Sequence, residues 1–403
     1  MPSISRDELF ELLDRFEIET PSWGYSDTGT RFGKFVQPAA ASTIEEKLQD
    51  AGIVHRYSAC CPVVATHVLW DFKPGVDPNE VARIAKGHNV RIGSINPNLF
   101  QDQIYKFGSA TSPNPQARHE AQAHIDRCLE IARATGSDCL SLWLADGTNY
   151  PGQDDIIARK HRLEAAFKKW HEAMPENMTM LIEYKPFEPA FYHTDIADWG
   201  MSRAFCDKAG PRAKVLVDTG HHLPGANIEH IVAFLLDEGM LGGFHFNDRK
   251  YADDDLTVGS IDPYAVFRIF HEIRLAANRG TDVSKIFYMI DQSHNLKPKI
   301  EAMLQTALTA QELFAKACLV DHAKLSAAQA KMDIVEAEEC LREAFFMDIK
   351  PLLHEWRKQK NIEANPLQAY RASGYEAKVA QERTQAREAR EARGESASGS
   401  SYA

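Results

Sequence analysis

No apolar run in this sequence approaches the length that crosses a bilayer, so a membrane-spanning helix is not expected. Positive charge is not in excess either: 46 Lys and Arg against 57 Asp and Glu leave a formal net charge of −11. Nucleic-acid binders draw most of their affinity from Lys and Arg meeting phosphates, so that partner class is set aside. Paired cysteines are missing as well. Cys60, Cys61, Cys128, Cys139, Cys206, Cys318 and Cys340 are scattered and have no CxxC spacing that would grip zinc or cycle as a redox pair. They read as buried or inert thiols. The opening MPSISRDELFELLDRF lacks a basic region followed by an apolar core and a small-residue cleavage site. It reads as a helix, and the cytoplasm is the expected location. There is no internal repeat and no phosphate-cradling Gly-rich loop.

What is present is a globular composition, 44% hydrophobic and 26% charged, over 403 residues. That length suits one large barrel plus an extension. From about residue 16 to 295, short apolar runs alternate with longer segments of helical period, the pattern of a parallel sheet with crossover helices. Eight strands are expected, at 17–21, 64–69, 90–95, 139–144, 178–184, 214–218, 242–247 and 286–291. Helices are expected between them, as at 117–135 and 155–173. Eight such units imply an α/β fold, a closed (β/α)8 TIM barrel, over residues 1–295, with an N-terminal helix and two long loops at 24–42 and 101–115. A helical extension follows at 296–376, with apolar spacing through Leu304, Leu308, Gln311 and Ala315. Its stripe is expected against a neighbouring subunit, the barrel's own wall being the other choice. Residues 377–403 read as a charged, frayed helix and flexible tail.

In a barrel of this kind the carboxyl ends of the strands face one pocket. Here those ends carry metal ligands: Glu183 in MLIEYKP, Asp218 in VLVDTGHH, His245 in GFHFND and Asp291 in FYMIDQSH. Three carboxylates and an imidazole make a cage for one divalent cation. A second set lies alongside. Asp218 and His221 share the turn DTGH, and Asp253 and Asp255 sit in RKYADDDLTVG. At i and i+2 of an extended loop those two carboxylates point the same way, with Asp254 turned away. The carboxylate-rich, cysteine-free set suits Mn²⁺ first, with Co²⁺ or Mg²⁺ as alternatives. Two such cations would hold adjacent sugar oxygens and polarise a carbonyl. Taken singly, each acid is more often a helix cap or half of an ion pair, DDD is usually a solvated loop, and His222 reads as packing or a cap. It is the alignment of seven ligand-type residues with successive strand ends that points to a site.

These motifs, together with PSWG and TRFGKF near the start, His67 and Trp70, GSDCLSLWLADGTNYPGQ, EPAFY at 188–192, HNL after Asp291 and YRASGY at 370–375, resemble the xylose-isomerase-like barrels, and most of all the L-rhamnose isomerases. The resemblance covers nearly the whole chain outside the tail. It implies a homotetramer that acts on a monosaccharide and moves hydrogen between C1 and C2, by hydride shift or through an enediol. It also implies a structural ion on Glu183, Asp218, His245 and Asp291, and a catalytic ion on His221, Asp253 and Asp255 with Asp218 bridging. Glu183, Asp218 and His221 would then face the substrate too.

His67 would stand where the family opens or orients the sugar ring; a lone core histidine is the alternative. Lys185 would neutralise charge on the substrate oxygen, or form an ordinary ion pair. Asp291, with a water on the cation and Ser293 beside it, is the expected proton shuttle. Trp143 and Trp70 would stack on the sugar or simply pack. Phe32 would reach into a neighbouring subunit's pocket.

The activity this implies is aldose–ketose isomerisation, L-rhamnose to L-rhamnulose first, with D-allose/D-psicose and L-mannose/L-fructose also in range. Three rivals remain. A ketose 3-epimerase shares the barrel but holds a single cation on four ligands, one of them a glutamate where this chain has Asp291. An apurinic-site nuclease needs a basic face. A non-catalytic sugar-binding protein should show a broken cage or an export signal.

Overall fold

The computed structural model describes residues 4–30, 33–188, 192–251 and 253–393. Phe32 lies outside them. Eight parallel strands close into a barrel: β1 (Glu19–Pro21), β2 (Val63–His67), β3 (Arg91–Asn96), β4 (Cys139–Leu142), β5 (Thr179–Glu183), β6 (Ala213–Asp218), β7 (Leu241–Phe246) and β8 (Phe287–Ile290). Each expected strand is present within a few residues of its expected ends. The ring is sealed where Glu19 on β1 pairs both with Val63 on β2 and with Met289 on β8.

Side chains alternate across a strand, so every second residue faces the barrel axis. Leu181, Leu216 and Met289, with Cys139, form a fully buried apolar cluster against which Phe287 packs. Two residues further along the same strands stand Glu183, Asp218 and Asp291. The sheet's pleat therefore places an apolar floor directly beneath a ring of acids.

The outer helices begin where the sequence supplies caps. Asn114 before Pro115, Asp155, Asp198, Asn227 and Asp262 before Pro263 each accept a backbone N–H of the first turn, satisfying donors that would otherwise be orphaned. The residue 295 boundary is not a structural one. Helix Lys299–Cys318 packs between helices Pro263–Asn278 and Ile44–Ser58 and completes the barrel's outer ring. Its Phe314 stacks on Phe16 at 4.1 Å and meets Phe270 edge-on at 5.6 Å. For this helix the neighbouring-subunit expectation is corrected: the stripe covers the barrel's own wall.

The frayed tail expected from 377 also reads differently up to residue 393. Helix Tyr375–Ala392 is docked by Arg383, whose two terminal nitrogens each lie 2.8 Å from an oxygen of the buried Asp50. All seven cysteines are buried and free. Among the described residues no helix is long and apolar enough to cross a membrane.

Candidate metal centre and active site

At the carboxyl ends of the strands lies a cavity of 330 Å³, within the usual span of about 300–1,000 Å³ for small-molecule sites. Its wall includes the polar Glu183, Lys185, His221, His245, Asp253, Asp255, Asp291 and Ser293 together with the rings of Trp23, His67, Phe100 and Trp143. A larger depression of 960 Å³ opens at the opposite, amino-terminal mouth beside Arg91, Arg212 and Lys285. Among the described residues no metal-type cluster lies there.

Two groups of ligand atoms converge at the smaller cavity: Glu183, Asp218 and His221, and Asp218, His245 and Asp291, in each case within 4.8 Å of one another, with Asp218 fully buried behind the wall that the other four line. Asp218 belongs to both. His221 Nδ1 is 3.1 Å from Glu183 Oε1, and its Nε2 is 2.8 Å from Asp253 Oδ1. His245 Nδ1 is 3.2 Å from Glu183 Oε2, 3.9 Å from Asp218 Oδ2 and 3.8 Å from Asp291 Oδ2.

The fit to cations rests on what these groups lack as well as where they stand. Glu183 Oε1 and His245 Nδ1 are buried and, despite their imidazole–carboxylate contacts of 3.1 and 3.2 Å, make no well-aligned hydrogen bond, which a native interior seldom leaves so. The charges conflict too. Burial, then Glu183 and Asp291, raise the Asp218 carboxyl to about 7 in spite of His221 and His245 beside it. Burial, then Asp253, Asp291 and Asp218, push Asp255 well above the usual range. Burial would lower His245, but Glu183, Asp291 and Asp218 hold it up at about 9. Five acids gathered around two imidazoles are an oxygen-rich set suited to hard divalent ions.

The loop carrying Asp253 and Asp255 is not extended, as the i and i+2 argument assumed. Both residues are left-handed, with φ of 53° and 46°, a conformation that Asp tolerates better than most side chains. The loop is closed by paired backbone bonds between Asp248 and Leu256, each 2.8 Å. Asp254, expected to turn away, also borders the cavity, with its carboxylate taking the backbone N–H groups of Lys250 and Tyr251.

Several supports had no signal in the local sequence pattern. Trp23 Nε1 donates to Asp291 Oδ1 at 3.0 Å. Asn247 Nδ2 lies 3.1 and 3.3 Å from the two Asp218 oxygens, and Gly220 N–H donates to Asp218 Oδ1 at 2.6 Å. Asp71 receives Lys47 at 2.6 Å and the His67 N–H at 2.9 Å, fixing the end of β2. Phe100 bridges the aromatic wall, 5.1 Å from Trp143 and 6.0 Å from His67.

The other expected residues are placed as follows. His67 lines the cavity; burial, then Lys47 and His245, lower it to about 3, so its ring is neutral. Trp70 stands behind it at 4.1 Å, held to Gln101, and is not among the cavity's lining residues. Trp143 is on the wall, 5.2 Å from the Lys185 ammonium. Lys185 is buried and doubly paired, to Asp253 at 2.6 Å and Glu188 at 2.8 Å. Ser293 Oγ donates to Thr28 at 3.2 Å. His222 bonds the Tyr184 hydroxyl at 2.7 Å, away from the ligand groups.

Residues 64–292 match the family described as xylose isomerase-like TIM barrel. A probable sugar isomerase of Rhizobium meliloti is 38% identical over 385 residues, spanning 94% of this chain and 89% of that relative. A probable sugar isomerase of Mesorhizobium japonicum is 37% identical over the same spans. Among solved structures, D-allulose 3-epimerase from Methylomonas sp. superposes with a TM-score of 0.53 at 15% identity, covering 74% of this chain and 98% of that one, a likeness of fold alone. A barrel closed strand by strand, its acids and histidines gathered at the carboxyl mouth, and a family match over more than half its length together establish that this chain belongs to the xylose isomerase-like TIM barrel family.

Proposed function

We propose that this protein is a divalent-metal-dependent aldose–ketose isomerase that converts L-rhamnose to L-rhamnulose, with D-allose and L-mannose as further substrates. The observation that carries this reading is the pair of ligand groups sharing Asp218, with Asp253 against His221. A four-ligand single-cation cage on Glu183, Asp218, His245 and Asp291 already draws on both groups; what it leaves over, and what a second cation would use, is His221 with Asp253 and Asp255. The groups would hold Mn²⁺ in preference to Co²⁺ or Mg²⁺, with Glu183, Asp218, His245 and Asp291 at one site and His221, Asp253 and Asp255 completing the other. Bound there, the cations would supply Lewis acidity toward neighbouring oxygens of the open-chain sugar.

The chain's own groups have distinct tasks in the reaction. The neutral His67 ring hydrogen-bonds the ring oxygen as the sugar opens. Lys185, already charged and held by Asp253 and Glu188, faces the carbonyl oxygen that gains negative charge. Hydrogen leaves C2 for C1 while the O2 proton passes to O1, and Asp291 with Ser293 carries that proton. The aromatic wall of Trp23, Phe100 and Trp143 offers an apolar surface to the methyl end of a 6-deoxy sugar.

The assembly is a homotetramer by the family resemblance, and the exposed Phe35, Val36 and Leu296, with Met332, Ile334, Val335 and Phe346 on the extension, offer apolar surface for subunit contacts. The test is ketose formation from an aldose panel by EDTA-stripped protein resupplied with Mn²⁺, Co²⁺ or Mg²⁺. Restored conversion, fastest on L-rhamnose, is expected. No conversion of any aldose by folded, metal-loaded protein would move ketose 3-epimerisation to the front.

A further inference from the structure

The loops after β1 and β8 both reach the cavity, the first through Trp23 and Thr28 and the second through Ser293 and Asn295. They are stitched together. Thr28 Oγ1 donates to Asn295 Oδ1 at 2.8 Å, Gln37 Nε2 to the Asn295 carbonyl at 3.1 Å, and the Gln37 N–H to Asp27 Oδ1 at 2.9 Å. Lys299 Nζ donates to the His294 carbonyl from beneath.

On its outer side the first loop meets a single face of helix Tyr375–Ala392. Arg383, Arg387 and Arg390 fall at i, i+4 and i+7, one stripe of an α-helix. Arg387 directs both terminal nitrogens to the Gln37 carbonyl at 3.2 Å, also reaches the Pro38 carbonyl, and lies 3.7 Å from Asp27. Arg383 donates to the Ala39 carbonyl, and Arg390 to Ser42 Oγ at 2.8 Å. The helix is in turn fixed to the barrel, because Arg383 and Tyr375, at 3.1 Å, both bind the buried Asp50. Three loop carbonyls thus have their partners on a helix 344 to 350 residues away in sequence.

We propose that helix Tyr375–Ala392 is a positioning element for substrate binding: its arginine stripe holds residues 37–42, and through Gln37 and Asp27 it holds Thr28, Ser293 and Asn295 in their places on the cavity wall. The proposal rests on the reading of this cavity as the substrate site. Its energetic sense is that of a binding-competent state. If the loops hold their bound arrangement only a fraction of the time without the stripe, apparent affinity falls by that fraction, while the complex once formed reacts as before.

The test uses the full-length, metal-loaded protein and its Arg387→Ala, Arg390→Ala and Arg387→Lys variants, read by amide hydrogen exchange of residues 36–42 and 294–299 and by steady-state kinetics. For Arg387→Ala we expect faster exchange in both segments and a KM raised about tenfold, with kcat within about twofold. Bound metal should be unchanged. Arg390→Ala, which leaves Arg387 in place, should show the same pattern more weakly, and Arg387→Lys, which keeps the charge beside Asp27, should recover part of the KM. Unchanged exchange in both alanine variants overturns the proposal, and so does faster exchange with unchanged KM. Failure of the isomerase reading looks different: wild-type protein then turns over no aldose at all, and exchange alone decides whether the stripe holds the loops.

Discussion

Asp255 lies in a left-handed segment with three other carboxylates acting on it, so its place in the cavity is unfavourable unless a cation binds beside it, as the proposed function requires. Asp255→Asn is expected to lower turnover more than about a hundredfold with the circular-dichroism spectrum unchanged; normal activity in excess Mn²⁺ would remove the second site. Lys185→Met should cut kcat by about 10²–10³ while KM moves little, and an effect confined to KM would leave Lys185 as an ion-pair residue. Gly220 offers a steric test: a Cβ there would stand 2.5 Å from Asn247 Oδ1, the residue whose amide holds Asp218. Gly220→Ala should weaken Mn²⁺ binding by about 10–100-fold by isothermal titration. The convergence of these acids and histidines was legible in sequence, because ligand-type residues at successive ends of parallel strands in a closed barrel face one mouth. Trp23, 268 residues from the Asp291 it bonds, was not legible, since nothing local to either residue encodes the contact.

Elements followed their local signals closely. Pleated apolar runs became strands within a few residues of expectation, and Asn or Asp before a helical stretch became a cap. The helix after residue 298 shows where periodicity stops being informative: its apolar stripe specifies that a face is buried, not against what. That face lies on the barrel, where Phe314 fills the space between Phe16 and Phe270. Phe314→Ala should destabilise the protein by about 3–5 kcal/mol, seen as a lower urea midpoint at fixed metal concentration; an unchanged midpoint would mean the contact carries little. Residues 377–393 failed as a solvated tail because their near-neutral sum of Glu and Arg hides an arginine stripe, visible only once Asp50 and the loop carbonyls are placed beside it.

For the whole molecule, five carboxylates are drawn to one mouth of the barrel by the closure of the sheet, and their mutual repulsion opposes that closure, an opposition that bound cations would relieve. Removal of metal with EDTA should lower the melting temperature, and Mn²⁺ should raise it, by a stabilisation of about 2.7 kcal/mol at a hundredfold excess over Kd; a melting temperature indifferent to metal would argue against the cluster as a resident site. By itself the sequence determined the fold class, the order of the strands and the chemical kind of the site, because alternation, helical period and ligand type are local and survive without coordinates. Tertiary structure alone decided that Trp23 and Asn247 brace Asp291 and Asp218, that Asp253 and Asp255 turn through left-handed backbone, and which face the last helix grips. Those outcomes depend on contacts between segments far apart in the chain, whose energies exist only after the barrel has closed.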